Sequence, residues 1–144
     1  MKFSAILTSI AALPFVAHAI TVSFDQVYDN AAGSLTTVAC SDGSNGLINR
    51  GFNKFSDLPS FPNIGGAPAI TGFNSAACGT CWELTFTNAQ GAKKSVNVTA
   101  IDVASPTSFN IALTSMNTLT NGQAVALGRV NVTTRQVPAS GCGL

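Results

Sequence analysis

Residues 78 to 102 read Cys78-Gly79-Thr80-Cys81-Trp82-Glu83-Leu84-Thr85-Phe86-Thr87-Asn88-Ala89-Gln90-Gly91-Ala92-Lys93-Lys94-Ser95-Val96-Asn97-Val98-Thr99-Ala100-Ile101-Asp102. From Trp82 the chain alternates, with Trp82, Leu84 and Phe86 on one face and Glu83, Thr85 and Thr87 on the other. That two-residue period is the signature of a half-buried strand. The run Asn88-Ala89-Gln90-Gly91 is turn chemistry, and the chain returns from Ser95 to Asp102 with Val96, Val98 and Ala100 on one face. Two alternating runs around a glycine-containing turn predict a β-hairpin. Continued, the same period carries the apolar face on to Asp102.

Outward from the hairpin, Thr, Ser, Asn, Gly, Val and Ala are abundant and charged residues are sparse, at 9% of the chain. This composition favours short strands and turns over long helices. Thr21 to Val27 reads as a first strand, Leu35 to Cys40 as a second, and Arg129 to Val137 as the last. In that last strand Val130, Val132 and Thr134 oppose Arg129, Asn131, Thr133 and Arg135. Between Cys40 and Cys78 lie Ser41-Asp42-Gly43-Ser44-Asn45-Gly46, Leu58-Pro59-Ser60-Phe61-Pro62 and Gly65-Gly66, all turn chemistry, so this half is expected to be rich in loops and dependent on disulfides. A short helix is expected after Asn110, which is placed to cap it; Ile111, Met116 and Leu119 share a face, and Gly122 ends it. The expectation is a single, mainly β domain with short helices.

Lys2, an apolar stretch from Ile6 through Ala17 and the small-x-small run Ala17-His18-Ala19 have the layout of a secretory signal peptide over residues 1 to 19, leaving a domain from 20 to 144. The apolar stretch is shorter than the roughly 20 residues needed to span a bilayer. The expected product is extracellular and not inserted in a membrane. Without Lys2 there are six basic residues against six acidic ones. The only adjacent basic pair is Lys93-Lys94 beside Gly91, a solvated hairpin tip. Nucleic acid and anionic membranes both require clustered cations, and neither is an expected partner.

Four cysteines, Cys40, Cys78, Cys81 and Cys142, make an even set in an exported chain, for which two disulfides are the default. A redox Cys78-x-x-Cys81 pair would be expected to open a helix, whereas a strand pattern follows. Zinc is not expected, because the sole histidine, His18, leaves with the leader. Chain entropy mildly favours pairings that send Cys78 and Cys81 to distant partners.

The missing histidine also removes the Ser-His-Asp and Cys-His arrangements that activate a nucleophile. Phosphate-cradling and dinucleotide motifs are absent, and no cofactor is expected. Glycoside hydrolysis needs only two carboxyl groups, and Asp102, at the end of an apolar strand face, is the best single candidate. Its partner would be Asp29, although Asp29 reads more simply as the opening of a turn. Sugar recognition calls for rings and polar partners together. Trp82 and Phe86 read as core, while Tyr28, flanked by Asp29 and Asn30, reads as a surface ring. Asn97-Val98-Thr99 and Asn131-Val132-Thr133 match the N-glycosylation acceptor pattern, both on polar strand faces.

The runs Val22-Ser23-Phe24-Asp25, Cys40-Ser41-Asp42-Gly43, Asn45-Gly46-Leu47, Cys78-Gly79-Thr80-Cys81-Trp82, Phe109-Asn110-Ile111, Gly122 to Gly128 and the tail Gln136-Val137-Pro138 through Cys142-Gly143-Leu144 resemble the cerato-platanin family. The resemblance spans essentially the whole chain after the leader. It implies a double-ψ β-barrel related to barwin and to the first domain of expansins, with disulfides Cys40 to Cys78 and Cys81 to Cys142. It further implies a secreted or wall-bound fungal protein that binds chitin or N-acetylglucosamine oligomers, loosens cellulose without hydrolysis, and acts as an elicitor or effector toward plants. Under the resemblance Asp102 matches an acidic groove residue, with Tyr28, Asp29 and Asn110 on groove-lining segments. One departure stands out: many members have Asp-His-Ala where this chain has Asp102-Val103-Ala104. The leading expectation is therefore a monomeric, non-catalytic wall-binding protein, with a plant receptor as a further expected partner. The runner-up is a weak polysaccharide hydrolase or expansin-like wall-loosening protein using Asp102. A surface-active coat protein of the hydrophobin type is disfavoured, since that family carries eight cysteines.

Overall fold

The computed structural model describes residues 19–144, so the leader read over residues 1 to 19 lies, apart from Ala19, outside the described residues. Six strands, β1 (Ile20–Phe24), β2 (Ile64–Ala67), β3 (Cys81–Thr87), β4 (Lys93–Val103), β5 (Ser108–Ile111) and β6 (Arg129–Val137), close into a barrel in the order β1-β5-β2-β4-β3-β6. Two neighbouring pairs, β1 with β5 and β2 with β4, run parallel, and the others run antiparallel. This is the double-ψ barrel, with a single core. Two short helices, α1 (Leu113–Thr120) and α2 (Ala124–Leu127), lie between β5 and β6. No helix among the described residues is long and apolar enough to cross a membrane.

The predicted hairpin forms as β3 and β4, with Trp82 opposite Val98, Leu84 opposite Val96 and Phe86 opposite Lys94. Its apolar face supplies Leu84, Val96, Val98 and Ala100 to a core that also holds Val22, Ile64, Ile101, Phe109, Ile111, Met116 and Leu119, all buried. Full burial of each large side chain is worth about 1.5 to 3 kcal/mol.

Three expected elements differ. β1 stops at Phe24, because the Asp25 carboxylate accepts from the Val27 N–H at 3.0 Å and turns the chain into a 3-10 turn over Gln26–Asp29. Leu35 to Cys40 is no strand: the Ser34 hydroxyl accepts from the Thr36 N–H at 3.2 Å and starts a 3-10 turn over Leu35–Thr37. Short hydroxyl and carboxylate side chains offer the backbone a local alternative to the ladder, and here they win. Conversely, Gly65-Gly66 is not a turn but the middle of β2, paired with β4 on one side and β5 on the other. A Cβ on Gly65 would come within 2.7 Å of the Ile111 Cα and closer still to the Asn110 carbonyl. The glycine is there to let three backbones approach.

Two disulfides, Cys40–Cys78 and Cys81–Cys142, close loops of 38 and 61 residues, and there are no free cysteines. This is the pairing the family resemblance implies. The first ties the turn-rich segment between β1 and β3 to itself, and the second ties the chain's end to the start of β3.

Candidate functional site

Neighbouring strands align one continuous row across the barrel, in which Ser23, Asn110 and Asp102 are half-buried and Gly66 is buried. Ser23 on β1 pairs with Asn110 on β5, Asn110 with Gly66 on β2, and Gly66 with Asp102 on β4. The row one step further in, Phe24, Ile111, Gly65 and Ala100, turns to the interior. Alternation explains why Ser23 and Asn110 face outward between core-facing neighbours, but it predicts the opposite for Asp102, which two-residue phasing puts on the side of Val96, Val98 and Ala100. The reason is a β-bulge. One step on β2, from Gly65 to Gly66, is matched by two on β4, from Ala100 to Asp102. Ile101 is the extra residue; it stays buried, and the bulge turns Asp102 out. Bulges re-aim side chains at such sites.

The Asp102 carboxylate is held on both oxygens. Oδ1 accepts from the N–H groups of Ala39 at 3.0 Å and Val103 at 2.9 Å, and Oδ2 accepts from the Tyr28 hydroxyl at 3.1 Å. Tyr28 is buried, at 5% exposure, so it is not the surface ring expected from its polar neighbours. Its ring packs against Phe55, with centroids 6.2 Å apart, and only its hydroxyl reaches the row. Burial first, and then the adjacent Asp102 charge, push the phenol far above its ordinary pKa. Tyr28 is thereby fixed as a neutral donor to Asp102.

Asn110 lies in β5 and does not cap the following helix. Its side-chain Oδ1 accepts from the Ser23 hydroxyl at 3.2 Å. The cap of α1 comes from Asp29, whose Oδ2 accepts from the Leu113 N–H at 2.8 Å and whose Oδ1 accepts from the Thr114 N–H at 3.0 Å. A carboxylate on the first free amides of a helix satisfies them and meets the positive end of the helix dipole. Asp29 therefore stands off the outward row, engaged with backbone. Among the described residues no group of three or more His, Cys, Asp or Glu side chains gathers as a metal site would need.

A pocket of about 220 Å³ lies beside the row, between Ser23, Ser108, Asn110 and Arg129 on one side and Val103, Ala104 and Ser105 on the other. Trp82 packs on Phe109, with centroids 5.8 Å apart, and its Nε1–H donates to Thr80 Oγ1 at 2.8 Å, which is a packing role with one edge on an apolar cleft of about 320 Å³. Of the two glycosylation acceptors, Asn131 is exposed together with Thr133. The Asn97 amide instead donates to the Gly141 carbonyl at 3.0 Å, and its Thr99 is fully buried against Ser60. Sequence reasoning did not single out Ser23 or Gly66, because cross-strand partnership in a closed barrel leaves no local mark.

With the double-ψ barrel and both disulfides in place, the family model described as Cerato-platanin matches residues 20–144. The chain belongs to the cerato-platanin family. Its cerato-platanin relatives come from fungi. The heat-stable 19 kDa antigen of Coccidioides immitis is 43% identical over 152 residues, covering 100% of this chain and 99% of that one. The Asp f 15 allergen homolog of Arthroderma benhamiae is 44% identical over 148 residues, covering 99% of this chain and 70% of its own length. Cerato-platanin of Ceratocystis fimbriata f. sp. platani is 38% identical, covering 99% and 96%. Among solved structures, cerato-platanin 2 from M. perniciosa superposes with a TM-score of 0.82 at 52% identity, covering 88% of this chain and 99% of that one. The relatives are named as allergens, antigens and cerato-platanins, and none of these names is that of an enzyme.

Proposed function

We propose that this cerato-platanin is secreted, acts as a monomer outside the cell or in the fungal wall, and binds chitin or cellulose oligomers without cleaving them. The row Ser23, Asn110, Gly66 and Asp102 is the floor of the binding surface, and a bound plant-facing protein of this kind is perceived as an elicitor or serves as an effector. One observation carries the reading: the bulge at Ile101 brings the carboxylate of Asp102 out into line with the polar side chains of Asn110 and Ser23. Carboxylate and amide at either side of Gly66 supply acceptor and donor to sugar hydroxyls, while Gly66 itself is buried and lets the Val103 carbonyl and the Ala104 methyl pack where a side chain would stand.

A hydrolytic alternative would require a second carboxyl group free to work with Asp102. Asp29, the partner the sequence suggested, has both oxygens on the α1 amides. The deciding experiment titrates the secreted protein with chitotetraose and cellotetraose while backbone NMR shifts are followed. Shift changes confined to Ser23, Gly66, Asp102 and Asn110 are expected, with no reducing ends released. Changes that avoid this row, or sustained release that Asp102→Asn abolishes, would overturn the reading.

A further inference from the structure

The outward row does not end at Ser23. Ser23 pairs on its other side with Arg129 on β6, and the pocket that Arg129 lines has Val103, the residue after Asp102, in its opposite wall. Arg129 donates through Nη1 to the hydroxyl oxygens of Thr21, at 2.9 Å, and Ser108. Among the described residues no carboxylate lies within ion-pair distance of it, and its Nε and Nη2 have no partner. That Nε/Nη2 edge is the one through which Arg135 of the same chain grips Glu83, at 2.8 and 3.3 Å.

Two of the hydroxyls around the pocket are already committed as donors. Ser23 donates to Asn110 Oδ1, and Ser108, which accepts from Arg129, donates to the Phe109 carbonyl at 3.0 Å. What remains for an incoming group is the Asn110 amide N–H pair, the open guanidinium edge and the Ser105 hydroxyl, around a pocket of about 220 Å³. The two parallel N–H groups of the open guanidinium edge select an acceptor with two oxygens and a negative charge.

We infer that the Arg129 pocket binds the carboxylate of a uronic acid residue within an otherwise neutral polysaccharide. The inference rests on the oligosaccharide-binding reading of the adjoining row. Val103, the residue after Asp102, lines the same pocket, so the Asp102 carboxylate lies close to a group bound at Arg129. One acidic sugar is paired by the guanidinium, whereas each further acidic unit along the chain meets the Asp102 charge with no second cation to offset it. The site therefore takes a mixed acidic and neutral glycan and discriminates against a homopolymer of uronic acid.

Calorimetric titration with four probes tests this: cellotetraose, the derivative in which one terminal hydroxymethyl is replaced by a carboxylate, tetragalacturonate, and free glucuronate. The mono-acidic tetrasaccharide is expected to bind about tenfold tighter than cellotetraose, the strength of one charge-assisted pair. This preference should shrink with added salt, fall to nothing in Arg129→Gln and return only in part in Arg129→Lys, which keeps the charge and loses the fork. Tetragalacturonate should bind more weakly than the mono-acidic probe. Equal binding of cellotetraose and its mono-acidic derivative would overturn the inference while leaving the neutral groove standing. A preference that survives in Arg129→Gln, or free glucuronate binding as well as the tetrasaccharide, would also overturn it. Binding of none of the oligosaccharides would remove both readings.

Discussion

Asp102 carries two loads at once, and they can be separated by substitution. Its carboxylate faces the outward row, yet it also receives the hydroxyl of buried Tyr28 and the Ala39 amide. Asp102→Ala should weaken oligosaccharide binding at least tenfold and also lower stability by about 1 to 3 kcal/mol, because the Tyr28 hydroxyl is left without its acceptor. Asp102→Asn keeps an acceptor and should cost less on both counts; thermal melts and titrations of the two proteins check this. Tyr28 is the chain's only tyrosine, so its ionisation can be followed alone by ultraviolet absorbance. Burial and the Asp102 charge raise its pKa in the fold, so the unfolded chain gives up the phenolic proton first. The stabilisation is complete below about pH 10 and is withdrawn as pH rises further. Denaturant titrations across that range should show a steeper alkaline loss for the native protein than for Tyr28→Phe, with phenolate appearing only as the native protein unfolds. At Gly65 the constraint is steric: Gly65→Ala should be severely destabilising, since its methyl would meet the Asn110 and Ile111 backbone rather than a side chain that can move.

At the scale of elements, the local rules read well where alternation runs long and poorly where a few polar side chains or a distant contact decide. The hairpin and β6 were legible because five or more residues keep a strict two-residue period against the core. The run Leu35 to Cys40 is rich in strand-forming residues but has no strict two-residue period, and Ser34 captures it as a 3-10 turn. Helix α1 shows the complementary case. A cap was expected from Asn110, the residue just before the apolar run, whereas the actual cap reaches in from Asp29 near the other end of the chain. Asp29→Ala should therefore destabilise by about 1 kcal/mol through loss of the α1 cap, with hydrogen exchange rising first at Leu113 and Thr114. Oligosaccharide affinity should hold within twofold, which separates a helix cap from a sugar ligand.

For the whole molecule, a barrel with two parallel pairs and a turn-rich stretch before β3 leans on its cross-links. In the chain-entropy view, closing loops of 38 and 61 residues contributes about 4 kcal/mol each. Replacing Cys40 and Cys78 together by serine should lower stability by roughly that amount and loosen the segment from Leu35 to Thr80 first. Chemical denaturation with exchange mass spectrometry measures both. By itself the sequence determined the mainly β, single-domain architecture and the hairpin and final strand at its centre, because apolar periodicity and composition are local quantities. Only the tertiary structure decided that Gly65-Gly66 is a strand, that Asp29 serves a helix, that Tyr28 is buried, and that Asp102 faces outward in line with Asn110 and Ser23. Each of these depends on which backbones are neighbours, and one extra residue in β4 reverses the phase of everything beyond it.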